Sequence, residues 1–289
     1  MILFAFLLAL PQAELVPIAA FGISSNGKVV YGSIHGLPCT WTRSGGVKKL
    51  PLPKGILGGL VTAASADGST LAGFVSEGEL AYICRWANGS PLIITQYASQ
   101  GTPAVSQDGS TIVGEWGVED ERHYLHGRGV FRWTSKTGLV KLPPLVADLP
   151  QCGCNGCSAD GSIVVGWASV PPIIHMRRNP GGTGPPPDEG RMIACIWDSK
   201  GKPMALPRPP GFLSTRAWSC SFNGKVIAGT GNSNGDRALI WKSGQNTNPV
   251  ALESLGKPVS GPIYVASDGK TVFGYATENS DMPISRSEP

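Results

Sequence analysis

The chain has 289 residues, of which 39 are Gly and 25 Pro, with 41% hydrophobic and 15% charged residues. So much apolar content with so little charge excludes a disordered chain, and so many helix breakers exclude a helical bundle. The net charge of +4 is diffuse, so no nucleic-acid partner is expected, and the length suits one all-β domain.

In chain order, the first feature is the apolar run Ile2–Leu10. It reads as the apolar stretch of a secretory leader over residues 1–13, cut after Ala13, leaving 14–289 as a single domain. Against that reading, no Lys or Arg precedes the run and Pro11 sits at the −3 position; a buried first strand is the alternative. The run is too short to cross a bilayer and no other segment reaches that length, so no membrane span is expected. A cleaved leader implies a secreted or extracytoplasmic protein.

A repeat follows. The string apolar–Ser–x–Asp/Asn–Gly occurs at Ile23–Gly27, Ala64–Gly68, Val105–Gly109, Cys157–Gly161, Cys220–Gly224 and Val265–Gly269, with Ala266 replacing Ser in the last copy. Its turn glycines are therefore Gly27, Gly68, Gly109, Gly161, Gly224 and Gly269, and a second Gly stands five residues after each. Five copies then reach a tryptophan: Trp41, Trp86, Trp133, Trp197 and Trp241. A Leu-Pro element is clearest at Leu50-Pro51, Leu142-Pro143 and Leu206-Pro207.

Asp-Gly or Asn-Gly between β-rich runs predicts a hairpin turn, because both residues tolerate positive φ. The strand before it, the Val-rich strand after it, the Trp strand and the Leu-Pro strand make four antiparallel strands per unit. Pro at the end of the fourth suits an edge. Such units cannot bury both faces alone, so they stack as blades around an axis, with the Trp supplying apolar area between blades. Six copies predict an all-β, six-bladed propeller. The sixth copy lacks a fourth strand, and Leu15-Val16-Pro17-Ile18 is expected to complete that blade from the N-terminus.

These repeats resemble those of the extracellular HAF-type repeat proteins, whose blades read Ser-x-Asp-Gly-x-x-Val-Val-Gly, then Ala-Phe-x-Trp, then a Gly-containing turn before Leu. Gly129–Thr134 followed by Thr137–Val140 is the nearest copy, and the resemblance covers roughly residues 20–280. It implies a propeller and an exported protein. It carries over no catalytic residue, because the motif is structural.

Of the seven cysteines, Cys39, Cys84 and Cys195 stand two residues before a repeat Trp, and Cys157 and Cys220 take the apolar place before the repeat Ser. These five read as small core side chains, with disulfides between strands as the alternative. Cys152 and Cys154 fall outside the frame, in an expected crossover between blades. Their C-x-C-x2-C spacing with Cys157 admits a local disulfide, free thiols or a metal, although no fourth ligand stands out.

The third and fourth repeats carry insertions, expected as loops over residues 115–129 and 168–192. Turn Gly to Trp is 24 and 36 residues there, against 14 to 18 elsewhere. Both lie between the second and third strands, on the face that carries the crossovers, and binding residues favour such loops. The candidate ligand-binding residues are Trp116, Asp120, Glu121, His123, His126, Trp167, His175 and Arg177. The two tryptophans suit stacking on sugar rings or packing beneath the insertions. His123 and His126, with Asp120 or His175, would make a metal site; an ordinary polar loop is the other reading, and no cofactor or resident metal is assigned.

Gly231-Asn232-Ser233-Asn234-Gly235 matches a nucleophile-elbow pattern, but a strand-to-strand hairpin is the wrong setting for it. The expected function is a monomeric, secreted or surface binding module for a glycan or protein. The alternatives are a hydrolase or lyase at the axial depression of the same face, and a purely structural repeat. Propellers serve all three.

Overall fold

The computed structural model describes residues 15–78, 80–95, 101–119, 125–147, 151–170, 191–233, 236–242, 250–251, 259–276 and 283–287. They form six antiparallel sheets, taken here in chain order. The first holds β1 (Ala19–Ile23), β2 (Val30–Ile34), β3 (Leu37–Thr42) and β4 (Gly46–Lys49). The second holds β5 (Gly58–Ala64), β6 (Thr70–Glu77), β7 (Leu80–Ala87) and β8 (Ser90–Ile93). The third holds β9 (Ala104–Val105), β10 (Thr111–Glu119), β11 (Leu125–Thr134) and β12 (Gly138–Leu142). The fourth holds β13 (Cys152–Cys157), β14 (Val164–Val170), β15 (Arg191–Trp197) and β16 (Pro203–Ala205). The fifth holds β17 (Ser214–Cys220), β18 (Val226–Asn232), β19 (Asp236–Lys242) and β20 (Val250–Ala251). The sixth has three described strands, β21 (Val259–Val265), β22 (Thr271–Ala276) and β23 (Pro283–Ser287). Strand order follows chain order in every sheet, as hairpin connections dictate.

The expected hairpin turn is present in all six copies, and its two defining residues act differently. Only its glycine takes positive φ, between +67° and +77° in all six copies. The Asp or Asn acts through its side chain. In the second copy Ser65 Oγ donates to Asp67 Oδ1 at 2.7 Å, Ser69 N donates to the same oxygen, and Thr70 N donates to Ser65 Oγ. The Asn26 and Asn223 copies make the same three bonds. The residue x between Ser and Asp/Asn works through its backbone. Ala66 N donates to Gln107 O, Gln107 N to Ala159 O, Ala159 N to Phe222 O and Phe222 N to Ser267 O, all at 2.8–2.9 Å, and Asn26 N donates to Ala66 O at 3.0 Å. Gln107 Nε2 also donates to Ser267 Oγ, joining the third turn to the sixth. Six turns thus gather around one axis, at one end of the fold.

Hydrogen bonds to these aspartates have a titration consequence. Those from Ser65 and Ser69 hold the Asp67 carboxyl down at about 2. Asp160 is lowered by Ser158 and Ser162, and Asp108 is lowered because bonds from Ser106 and Ser110 outweigh the upward push of burial. A carboxyl whose folded pKa is depressed adds stability that is complete above its unfolded value, about 4, and is lost as pH falls through the folded one. The fold is therefore expected to weaken between about pH 4 and pH 2. Asp67→Asn, Asp108→Asn and Asp160→Asn together should flatten that limb in acid titrations followed by circular dichroism, while folding survives, since Asn already serves at positions 26 and 223. An unchanged acid limb in the triple variant would refute the assignment.

The second glycine faces a bulge in the first strand. In four sheets the register of that strand slips at Ala20/Gly22, Val61/Ala63, Cys154/Gly156 and Ala217/Ser219. A Cβ on Gly32, Gly73, Gly166 or Gly229 would collide with the carbonyl oxygen of Ala19, Leu60, Gly153 or Arg216.

Three of the repeat tryptophans reach backwards. Trp86 Nε1 donates to Pro51 O, Trp197 Nε1 to Pro143 O and Trp241 Nε1 to Pro207 O, at 2.7–2.8 Å. The Leu-Pro element is thus the acceptor for the next sheet's indole. Trp86, Trp133, Trp197 and Trp241 are buried between successive sheets. Cys39, Cys84 and Cys195 pair with the second glycines and are buried core side chains. Cys157 and Cys220 are half-buried, and burial pushes the Cys220 thiol up to about 12.

Three expectations change. Cys152 and Cys154 do not lie in a crossover: they pair with Ala168 and Gly166 inside β13 and are buried against Val113, Val130 and Trp197. All seven thiols are free. The insertion at 115–129 is mostly strand, because Trp116↔Gly129, Gly117↔Arg128 and Val118↔Gly127 continue the β10–β11 ladder, and β14–β15 pair out to Val170↔Arg191. Leu15–Ile18 belongs to no strand; Leu15 is 98% exposed and Pro17 has no N–H to give a ladder.

Candidate functional site

Opposite the six turns lies the end where β10 meets β11 and β14 meets β15, and where β13 and β17 begin. Trp116 packs against the core shared by the second and third sheets, with Lys141 Nζ 3.7 Å above its ring. Its indole N–H is buried without a hydrogen-bond partner. Trp167 is buried, and a Cβ on Gly153 would collide with it. Both pack against neighbouring residues of the fold. His126 falls in β11, and nothing further is described for its side chain. Asp120, Glu121, His123, His175 and Arg177 lie outside the described residues. Among the described residues no group of three His, Cys, Asp or Glu is arranged to hold a metal.

The described structure instead brings together residues that sequence reasoning passed over. Between the fourth and fifth sheets is a cavity of about 330 Å³, small for a ligand site but within the usual range. It is lined by Met192 of β15, by Ser214, Thr215, Arg216 and Trp218 of β17, and by Thr230, Gly231, Asn232 and Asp236 around the β18–β19 hairpin. The Arg216 guanidinium carbon stands 5.3 Å from the Trp167 ring centre and 5.0 Å from that of Trp218, so two indoles hold one cation. Arg216 Nη2 reaches Met192 Sδ at 2.9 Å. Burial lowers the guanidinium's pKa and Glu115 opposes that, yet arginine stays charged in proteins.

Local sequence explains the placement. Trp218 is the bulge residue of β17, three positions before the repeat Ser221. Its indole N–H donates to Thr230 Oγ1 across the sheet at 3.0 Å. Gly231 and Asn232, the start of the discarded elbow pattern, end β18 in a strand-to-strand hairpin, and Asn232 Nδ2 donates to Asp236 Oδ1 at 3.1 Å. Behind the cavity, Glu115 is buried with its carboxylate 4.0 Å from Arg128 Nη1. The arrangement offers a cation, an aromatic wall and several hydroxyls on strands, with an exposed carboxylate at the rim.

No protein-family model and no curated protein matches this chain. Solved structures do match in shape. An oligogalacturonate lyase in complex with manganese aligns at a TM-score of 0.57 and 14% identity, over 92% of this chain and 73% of that one. The β-propeller domain of the Trilobed protease from Pyrococcus furiosus aligns at 0.55 and 11% identity, over 90% and 79%. TolB from Acinetobacter baumannii aligns at 0.46 and 14% identity, over 76% of this chain; the chain spans half that protein's length. At these identities the likeness shows the fold, a β-propeller, and no activity.

Proposed function

We propose that this chain is a carbohydrate-binding propeller whose ligand sits in the cavity between the fourth and fifth sheets. The observation that carries the reading is Arg216, held between Trp167 and Trp218 on a wall of Ser214, Thr215 and Thr230. Hydroxyls, a guanidinium and an indole are what a sugar's hydroxyls and apolar face require. The test is calorimetric screening of soluble glycans. Trp218→Ala should weaken the hit by at least about tenfold, or 1.4 kcal/mol, the scale of one aromatic contact. Cleavage of the bound glycan would make the protein an enzyme. A panel without a hit would turn the reading to a protein ligand.

The proposal includes a ring of six blades, closed by residues before Ala19. Blade six lacks a fourth strand among the described residues, and Ile23, Tyr264 and Phe273 are each at least 40% exposed there. Among the described residues Trp41 and Trp133, unlike Trp86, Trp197 and Trp241, have no carbonyl for the indole N–H. Leu10-Pro11 matches the frame: Pro11 precedes the repeat serine by 13 residues, against 14, 15 and 14 for Pro51, Pro143 and Pro207. Export after a cut behind Ala13, implied by the apolar run and the HAF-type resemblance, is the competing use of these residues. Closure predicts that Trp41→Ala couples by about 1–2 kcal/mol to deletion of residues 1–13. Additive effects, with Glu14 the first residue of the purified native protein, would favour export instead.

A further inference from the structure

We infer that the cavity at Arg216 takes the carboxylate of an acidic sugar, a hexuronate unit, an assignment that rests on the carbohydrate reading above. A guanidinium carries five N–H donors in one plane. Among the described residues Arg216 uses one, toward the thioether of Met192, which is a weak acceptor. Among the described residues no carboxylate pairs with it within 4.0 Å; Glu115, which has Arg128 beside it, and Asp236 act on its charge from farther away. The cation is thus held in place by two rings with most of its donors unspent, the state in which a planar carboxylate binds with two parallel hydrogen bonds.

The hydroxyls around it are polarised the same way. Thr215 Oγ1 accepts from Ala194 N at 3.0 Å, Thr230 Oγ1 from Trp218 Nε1 at 3.0 Å and Ser214 Oγ from Met192 N at 3.3 Å. Each oxygen accepts one bond and keeps its proton and a second lone pair, so it can still donate to a ligand. The wall around Arg216 is therefore rich in donors. The acceptor stands elsewhere, on exposed Asp236, steadied by Asn232. A ligand matching this polarity has a carboxylate at one end and hydroxyl donors at the other. A neutral hexose leaves the guanidinium unanswered, and a simple carboxylate leaves Asp236 unanswered.

The test is isothermal titration of the full chain with glucuronate, glucose, acetate and an oligoglucuronate. Glucuronate should bind at least about tenfold more tightly than glucose or acetate, and its affinity, unlike that of neutral glucose, should fall with salt. A monomer as tight as the oligomer would mark the free acid as ligand; a tighter oligomer would mark a polymer. Arg216→Gln should abolish the preference for glucuronate over glucose, with the melting temperature checked against the parent. Arg216→Lys, which keeps charge but not the fork, should retain part of the preference and serves if the Gln variant does not fold. Equal, salt-independent binding of glucose and glucuronate overturns the acid assignment and leaves the carbohydrate reading standing. Absence of binding by any of the sugars overturns both.

Discussion

Trp197→Ala is expected to destabilise the protein by about 3–5 kcal/mol, the range for emptying a large aromatic site in a core. Trp197 is fully buried against Val113, Val130 and Leu142 of the preceding sheet. Its loss opens a cavity between two sheets and leaves Pro143 O without its donor. The two costs separate in Trp197→Phe, which keeps most of the apolar area and should cost about 1–3 kcal/mol, much of it the orphaned carbonyl. Urea unfolding reads both variants as a lower midpoint at unchanged slope. A loss below about 1 kcal/mol in the Ala variant would mean that the indole does not join the sheets.

Gly166→Ala should cost about 3 kcal/mol, at the upper end for overpacking, because the atom in the way is the backbone carbonyl of Gly153 and has no rotamer to escape into. Gly138 is the control. It has φ +66° with open space around it, so Gly138→Ala meets backbone strain alone, about 1–2 kcal/mol. If the two variants unfold at the same urea concentration, collision across the bulge is not what fixes glycine at position 166.

The architecture was legible in sequence because the repeat records forces that act locally. Ser65, Asp67 and Gly68 fold their own turn, and Trp86 with Pro51 shows the reach from one unit to the next. What misled was the assumption that departures from the frame are loops. Cys152, Cys154 and residues 115–119 proved to be strand, since an antiparallel ladder lengthens without any turn signal. The cavity went unread for another reason. Attention went to insertions, while Arg216 and Trp218 sit inside a regular unit. The signal was there as variation within the frame: three residues before the repeat serine stand Phe21, Thr62, Asn155 and Trp218, at the bulges of four sheets. A place flanked by small residues in each copy, while its own side chain changes, is where a scaffold is open to a new task. The contact between Arg216 and Trp167 joins two sheets, and no spacing along one chain reveals that.

The turns around the axis carry a consequence for how such a protein arises. They are tied to one another through main-chain N–H and C=O of Ala66, Gln107, Ala159, Phe222 and Ser267, residues as unlike as an alanine and a phenylalanine. A connection made of peptide groups does not discriminate among the units it joins. A duplicated stretch of gene that encodes one turn brings both halves of this main-chain linkage with it, whereas the Trp that packs on the preceding unit still needs a matching neighbour. The main-chain part of this joint therefore makes no demand on the identity of the side chains at these five positions.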